Sequence, residues 1–216
     1  MTALRLLRTS CRTVPDCVRV DDVGPVTWQT LLRDGVLVPV WGDVAVPAGR
    51  PAGPDVRALA VRCLVPPRAV LGRAAAVWVH AGGPQPARFA VLVAPKVRRP
   101  SPHPARVPHE CPLPAGDVVR LGDVAVTTVG RTAVDVARHL PEDEAVVLLR
   151  RLAAHTGLDL TAVRHAAAAL GARDGGPRVR GVLARAQGPG PPSPPQPSSA
   201  AAVRTGAPAP RTPWTR

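Results

Sequence analysis

The last 29 residues set the outer limit on what this chain can fold into. From Gly188 onward nine of them are proline and the rest are mainly serine, alanine, threonine and glycine. Such a segment cannot bury enough apolar surface to offset the entropy of ordering its backbone. The composition therefore predicts a folded part that ends near Gln187 and a disordered tail over 188–216. Roughly 187 residues remain, enough for one ordinary domain or for a small module plus a larger one.

Ile, Asn and Tyr are absent, and Lys, Met and Phe occur once each, as Lys96, Met1 and Phe89. These are mostly residues with AT-rich codons, so the bias points to a GC-rich, bacterial genome and weakens arguments from Arg-for-Lys usage or scarce aromatics. The distribution of charge still informs. Of the net +13, residues 51–110 hold +7, against +1 for 1–50, +2 for 111–187 and +3 for 188–216. A basic excess favours polyanionic partners, nucleic acid first, because each neutralised phosphate releases counterions. The plain alternative is a solvated, arginine-rich surface. Met1 to Ser10 carries two arginines without the apolar run of a secretory signal. Apolar runs such as Ala74 to Val79 fall far short of the roughly 20 residues a membrane span needs. The expected location is cytoplasmic, with no membrane partner. Cys11, Cys17, Cys63 and Cys111 are irregularly spaced, which favours free thiols over disulfides.

Along the chain, Thr27 to Arg33 has Trp28, Leu31 and Leu32 at helical spacing, with Thr27 as candidate N-cap and Gly35 past the end. Val36 to Pro47 reads as a β-hairpin turning at Trp41-Gly42-Asp43. Helix then hairpin is the layout of a winged helix, which calls for an earlier helix within Thr13 to Asp22. Arg50 to Pro54 reads as a linker. Helices are expected over Asp55 to Cys63, with Asp55 as N-cap, and over Arg68 to Val79. Phe89 to Val93 is a short buried strand, and Arg98 to Pro114, with its six prolines, reads as irregular loop. Val118 to Leu121 and Val124 to Thr128 are strands around Gly122-Asp123. After Gly130 the period changes. Helices are expected over Arg131 to Leu140, from Pro141 to about His155 with Gly157 as cap, over Leu160 to Leu170, and over Pro177 to Ala186. The fold class is α+β: an N-terminal winged-helix-like module over 1–49, then a small mixed sheet with a C-terminal helical array over 50–187.

Several chemistries are excluded. Lys96 follows Pro95, so there is no Gly-Lys-Ser/Thr phosphate loop. Ala94 stands where a metal-dependent nuclease pattern needs an acid, and no serine sits in a Gly-x-Ser-x-Gly elbow. His103, His109, Glu110 and Cys111 bear metal-ligating groups, but their spacing matches no zinc motif and they read as a surface loop. Asp135 lies one turn from Arg131, Arg138 and His139, and i,i+4 ion pairing on a helix surface is the preferred reading over general-acid chemistry. The expected protein is therefore not an enzyme and needs no cofactor and no metal. Thr27, Gln29, Thr30 and Arg33 are candidate DNA contacts, with Arg50 following the hairpin onto the phosphate backbone. The competing expectation is a winged helix used only for packing or protein contact.

Three stretches together resemble the actinobacterial-type AbiEi family antitoxins of type IV toxin–antitoxin systems. They are Leu31 to Gly49 (LLRDGVLVPVWGDVAVPAG), Val70 to Gly82 (VLGRAAAVWVHAG), and Val124 to Leu140 (VAVTTVGRTAVDVARHL) with its continuation through Leu152 and over Arg178 to Arg185. Trp78, His80, Arg131, Thr132, Asp135 and Arg138 match the family signature and are read as structural ion-pair and packing residues. The resemblance implies a transcriptional regulator whose N-terminal module binds operator DNA, with a nucleotidyltransferase-like toxin as a further partner. Many relatives continue into an endonuclease-like domain, and here the Pro-rich tail stands in its place. The alternatives are a protein-interaction module without DNA readout and a degenerate remnant of a nuclease-bearing relative.

Overall fold

Gly24 takes φ +79, a conformation open to glycine at little cost. It separates two short helices, α1 (Val20–Val23) and α2 (Pro25–Arg33), in the computed structural model, which describes residues 15–171 and 174–188. Helix α2 begins two residues earlier than its sequence suggested, because Pro25 occupies N1, where its missing N–H costs nothing. Thr27 is thus inside the helix. The helix expected within Thr13 to Asp22 shrinks to the single turn of α1, preceded by strand β1 (Val18–Arg19). The alternation of Val18 and Val20 suits an extended chain, and β1 pairs antiparallel with β3 (Val44–Pro47), which pairs in turn with β2 (Leu37–Trp41). The order β1-β3-β2 behind two short helices is the winged-helix layout. Trp28, Leu37 and Ala45 form its small core.

The hairpin does not project into solvent. Val40, Val44 and Val46 enter the main core beside Val61, Leu64 and Phe89, and Trp41 meets Phe89 edge-on at 5.7 Å. The Gln85 side chain donates to the Val40 carbonyl.

A second sheet runs β6-β5-β4-β8-β7. Its centre is β4 (Ala69–Leu71), where the sequence suggested a helix from Arg68 to Val79. All three residues are buried and pair with β5 (Phe89–Val93) on one side, and Leu71 pairs with Val126 of β8 (Val124–Thr127) on the other. Helix α4 (Arg73–Ala81) starts only after Gly72, where any Cβ would stand 2.4 Å from the Leu92 side chain. The Arg98 to Pro114 stretch, read as loop, contains β6 (Arg106–Glu110). Pro108 is tolerated because β6 is an edge strand. Strands β7 (Val118–Leu121) and β8 turn at Gly122-Asp123, as the sequence indicated.

Helix α3 (Pro54–Ala60) also has proline at N1, so Gly53, not Asp55, is its N-cap, and a 3-10 turn completes the segment to Leu64. Helices α5 (Val129–His139), α6 (Glu142–Thr156), α7 (Leu160–Ala166) and α8 (Gly176–Gln187) follow the period read from the sequence. Gly157 ends α6 at φ +69. Pro141 is the N-cap of α6 and not its first helical residue. Val77 on α4 joins Ala133, Val136, Leu149, Leu152, Val179 and Leu183 in a second core. Each fully buried leucine there contributes about 2 kcal/mol. The fold is α+β. Cys17, Cys63 and Cys111 are free thiols, while Cys11 lies outside the described residues, as does the tail over 189–216. No helix among the described residues is long and apolar enough to cross a membrane.

Candidate nucleic-acid interface and a buried arginine–aspartate cluster

Burying Trp28 turns the opposite side of α2 outward, so Thr27, Gln29 and Arg33 are exposed. Thr30 is half-buried, and its hydroxyl donates to the Val26 carbonyl at 3.1 Å. The surrounding field is weak. Between Asp16 and Arg50 there are three arginines and five aspartates, and each arginine is ion-paired: Arg19 with Asp43 at 2.7 Å, Arg33 with Asp34 at 3.2 Å, and Arg50 with Asp16 at 2.8 Å. Exposed pairs of this kind hold by at most about 1 kcal/mol, so Arg33 can exchange its partner at small cost.

Beyond Arg50 the arginines do different work. No carboxylate occurs between Asp55 and Glu110 in a stretch with nine lysines and arginines. Among the described residues Arg62 alone of these approaches an acid, Asp123 at 3.8 Å. Arg57 on α3 donates to the Val79 carbonyl at 2.8 Å, to that of His80 at 3.1 Å, and to Ala52, so it caps the C-terminal carbonyls of α4. Arg88 donates to the carbonyls of Pro104 and Arg106 at 3.2 and 2.9 Å. Arg106 donates to Ser101 at 2.6 Å and Leu64 at 3.2 Å. These bonds wall a groove of about 620 Å³ whose lining includes Arg99 and His103.

Of the residues singled out in the sequence, His80 and Thr132 meet around Thr127, and Arg131 joins Asp135, while Trp78 and Arg138 lie apart. Trp78 is buried edge-on to Phe89 at 5.6 Å. His80 Nε2 donates to the Thr127 carbonyl at 2.7 Å, which fixes its tautomer, and burial lowers its pKa against the pull of that carbonyl. The Thr127 and Thr132 hydroxyls lie 2.6 Å apart. Arg131 donates through Nε to Asp135 at 2.9 Å, through Nη1 to Asp117 at 2.6 Å, and through Nη2 to the Pro112 carbonyl at 3.3 Å. The Arg131–Asp135 pair read as a surface pair is instead buried, since Asp135 is only 3% exposed. Among the described residues its second oxygen has no hydrogen-bond partner, and burial pushes its carboxyl pKa up against the pull of Arg131. Burial opposes the charge of Arg131 as well, but Asp135 and Asp117 together outweigh it and hold that guanidinium charged. Arg138 is separate and pairs with Asp174 at 3.2 Å.

Arg73, at φ +53, reaches within 3.2 Å of His109 Nε2. His139 is held at about 4, first by burial of its ring and then by Arg73, Arg138, His109 and Arg131. His103 Nδ1 accepts from the Ala105 N–H at 3.1 Å, Glu110 is exposed, and burial raises the Cys111 pKa. Among the described residues no three His, Cys, Asp or Glu side chains are grouped to hold a metal ion. Sequence reasoning missed Arg57, Arg73 and Asp117. Each acts across tertiary contacts, and no local spacing marks it.

No protein-family model matches the chain, and no curated protein matches it. Among solved structures, the chain is similar to the RV2827C protein from Mycobacterium tuberculosis. The identity is 16% over 79% of this chain and 76% of that one, with a TM-score of 0.34.

Proposed function

We propose that the protein is a non-catalytic, antitoxin-like transcriptional regulator that binds operator DNA through the outward face of α2. The observation supporting this reading is the β1-β3-β2 sheet behind α1 and α2, which leaves Thr27, Gln29 and Arg33 exposed on one helix. At 1.5 Å per residue α2 is about 13 Å long, enough to lay its polar face along a major groove about 12 Å wide. Gln29 suits an adenine edge and Arg33 a guanine edge. Because the hairpin is anchored in the main core, α2 carries the readout and the hairpin acts as its support. The reading is tested with the full-length chain, titrated near physiological salt with the duplex upstream of its own gene and with a scrambled duplex. The expected preference is at least about a thousandfold, reduced in Gln29→Ala and Arg33→Ala. Equal affinity for both duplexes would overturn it.

A second reading, a protein-interaction module, is favoured by a different observation on the same module. Val26 is 80% exposed, Val36 51% and Val38 48%, and the aspartate excess around them disfavours phosphate. A nucleotidyltransferase-like toxin is the partner this reading carries, and it predicts that Val26→Asp abolishes toxin binding while leaving DNA affinity unchanged.

A further inference from the structure

Strands β5 and β6 are parallel, and parallel neighbours need a crossover that usually contains a helix. Here residues 94–105 make the crossing without one. The Arg88 and Arg106 bonds described above hold the loop at its β6 end. Pro95, Pro100, Pro102 and Pro104 restrict its backbone further. Nearer the β5 end Lys96, Arg98 and Arg99 are exposed, and none has a carboxylate within 4.0 Å among the described residues. A cation-bearing loop without acids keeps its field directed outward, and its side chains lose no ion pair on meeting a phosphate.

The surroundings narrow the partner. Single-stranded nucleic acid is gripped by stacking bases on exposed aromatic rings. Trp28, Trp78 and Phe89 are buried and Trp41 is half-buried against Phe89, so the described residues offer no such platform. An evenly charged double helix needs none.

We propose that the arginine-pinned crossover over 94–105 is a contact surface for the phosphate backbone of duplex DNA, with Lys96, Arg98 and Arg99 each meeting a phosphate. The surface supplies affinity without sequence preference, complementing the α2 reading and going beyond it. Three neutralised phosphates correspond to about 2.7 in the slope of log K against log salt.

The test uses the full-length chain and a triple variant, Lys96→Gln, Arg98→Gln and Arg99→Gln, with unchanged circular dichroism as the control for folding. Affinity for the upstream and scrambled duplexes is measured over a salt series, with poly-glutamate as competitor. The expected result is a slope shallower by about 2.7, with the same fold-loss on both duplexes and the preference between them intact. An unchanged slope in the triple variant overturns the proposal and leaves the α2 reading standing. A shallower slope with no preference even in the wild-type chain upholds the crossover surface and sinks the α2 reading. No duplex binding at low salt removes both. Displacement by poly-glutamate as effective as by duplex of equal charge overturns the proposal in favour of an acidic protein.

Discussion

Between Asp16 and Arg50, where five aspartates face three arginines, each arginine is held by an aspartate at 2.7 to 3.2 Å. Between Arg57 and Arg106, nine cations share a stretch without a single acid, and among the described residues Arg62 alone of them approaches one, Asp123 at 3.8 Å. The first region therefore presents hydrogen-bonding side chains in a weak field, and the second a strong field with few groups suited to reading a base. On the proposed DNA-binding reading, recognition and attraction would fall on different surfaces, since base contacts specify and phosphate contacts position. The cores differ likewise. The module owns only Trp28, Leu37 and Ala45, while its hairpin draws most of its burial from the body.

The largest effect is expected at the joint. Phe89 is 2% exposed and touches both Trp41 and Trp78, so Phe89→Ala should cost about 3–5 kcal/mol in urea denaturation. A loss below about 1 kcal/mol would show that the hairpin draws little stability from the body. Asp135→Ala leaves a part-buried Arg131 with Asp117 as its remaining carboxylate and should cost about 3 kcal/mol. Asp135→Asn, whose amide oxygen still accepts from Arg131 Nε, should cost clearly less. Equal costs would mean that the charge of Asp135 matters more than its hydrogen bond. Leu37→Ala should cost about 2 kcal/mol, with faster amide exchange over 15–49 and little change in α5 to α8. Uniform acceleration across the chain would erase the distinction between the regions.

The smallest effect is one of pH. His80, His109 and His139 all have folded pKa values lowered by burial, that of His139 to about 4. The unfolded chain takes up protons near 6.5 that the folded chain refuses. Their contribution is therefore present above about pH 6.5 and lost as pH falls, for His139 until about 4. Asp135 has the opposite sign, because a raised carboxyl pKa makes protonation favour the folded chain. His139→Gln should flatten the fall in urea midpoint between pH 7.5 and 4.5. The module over 15–50 contains no histidine, so amide exchange there should report less of this loss than exchange in α5.

The sequence revealed elements where period or run length was unambiguous. Phe89 to Val93 is apolar throughout and lies in the sheet interior, and the 3.6 spacing after Gly130 yields α5 to α8. It misled at Arg68 to Val79, where apolar residues on both sides of Gly72-Arg73 hide the change from strand to helix. Only pairing with β5 and β8, which is remote in sequence, decides that point. At β6 the prolines concealed an edge strand. Within the signature, the i,i+4 spacing of Arg131 and Asp135 showed their pairing. Their burial, and the second anchor at Asp117, depend on how the β6–β7 connection packs over α5.

The parallel register of Leu71 with Val126 joins β4 to β8 at the centre of the five-stranded sheet. A chain made from its N-terminus presents β4 before β8 leaves the ribosome, so one flank of an apolar strand stays open while the residues between Leu71 and Val124 are made. Closing so distant a pair is slow, and an open flank invites intermolecular pairing. Nascent chains that stop short of Val124 should therefore be the species most dependent on chaperones, and yield on expression should follow how quickly translation passes that point.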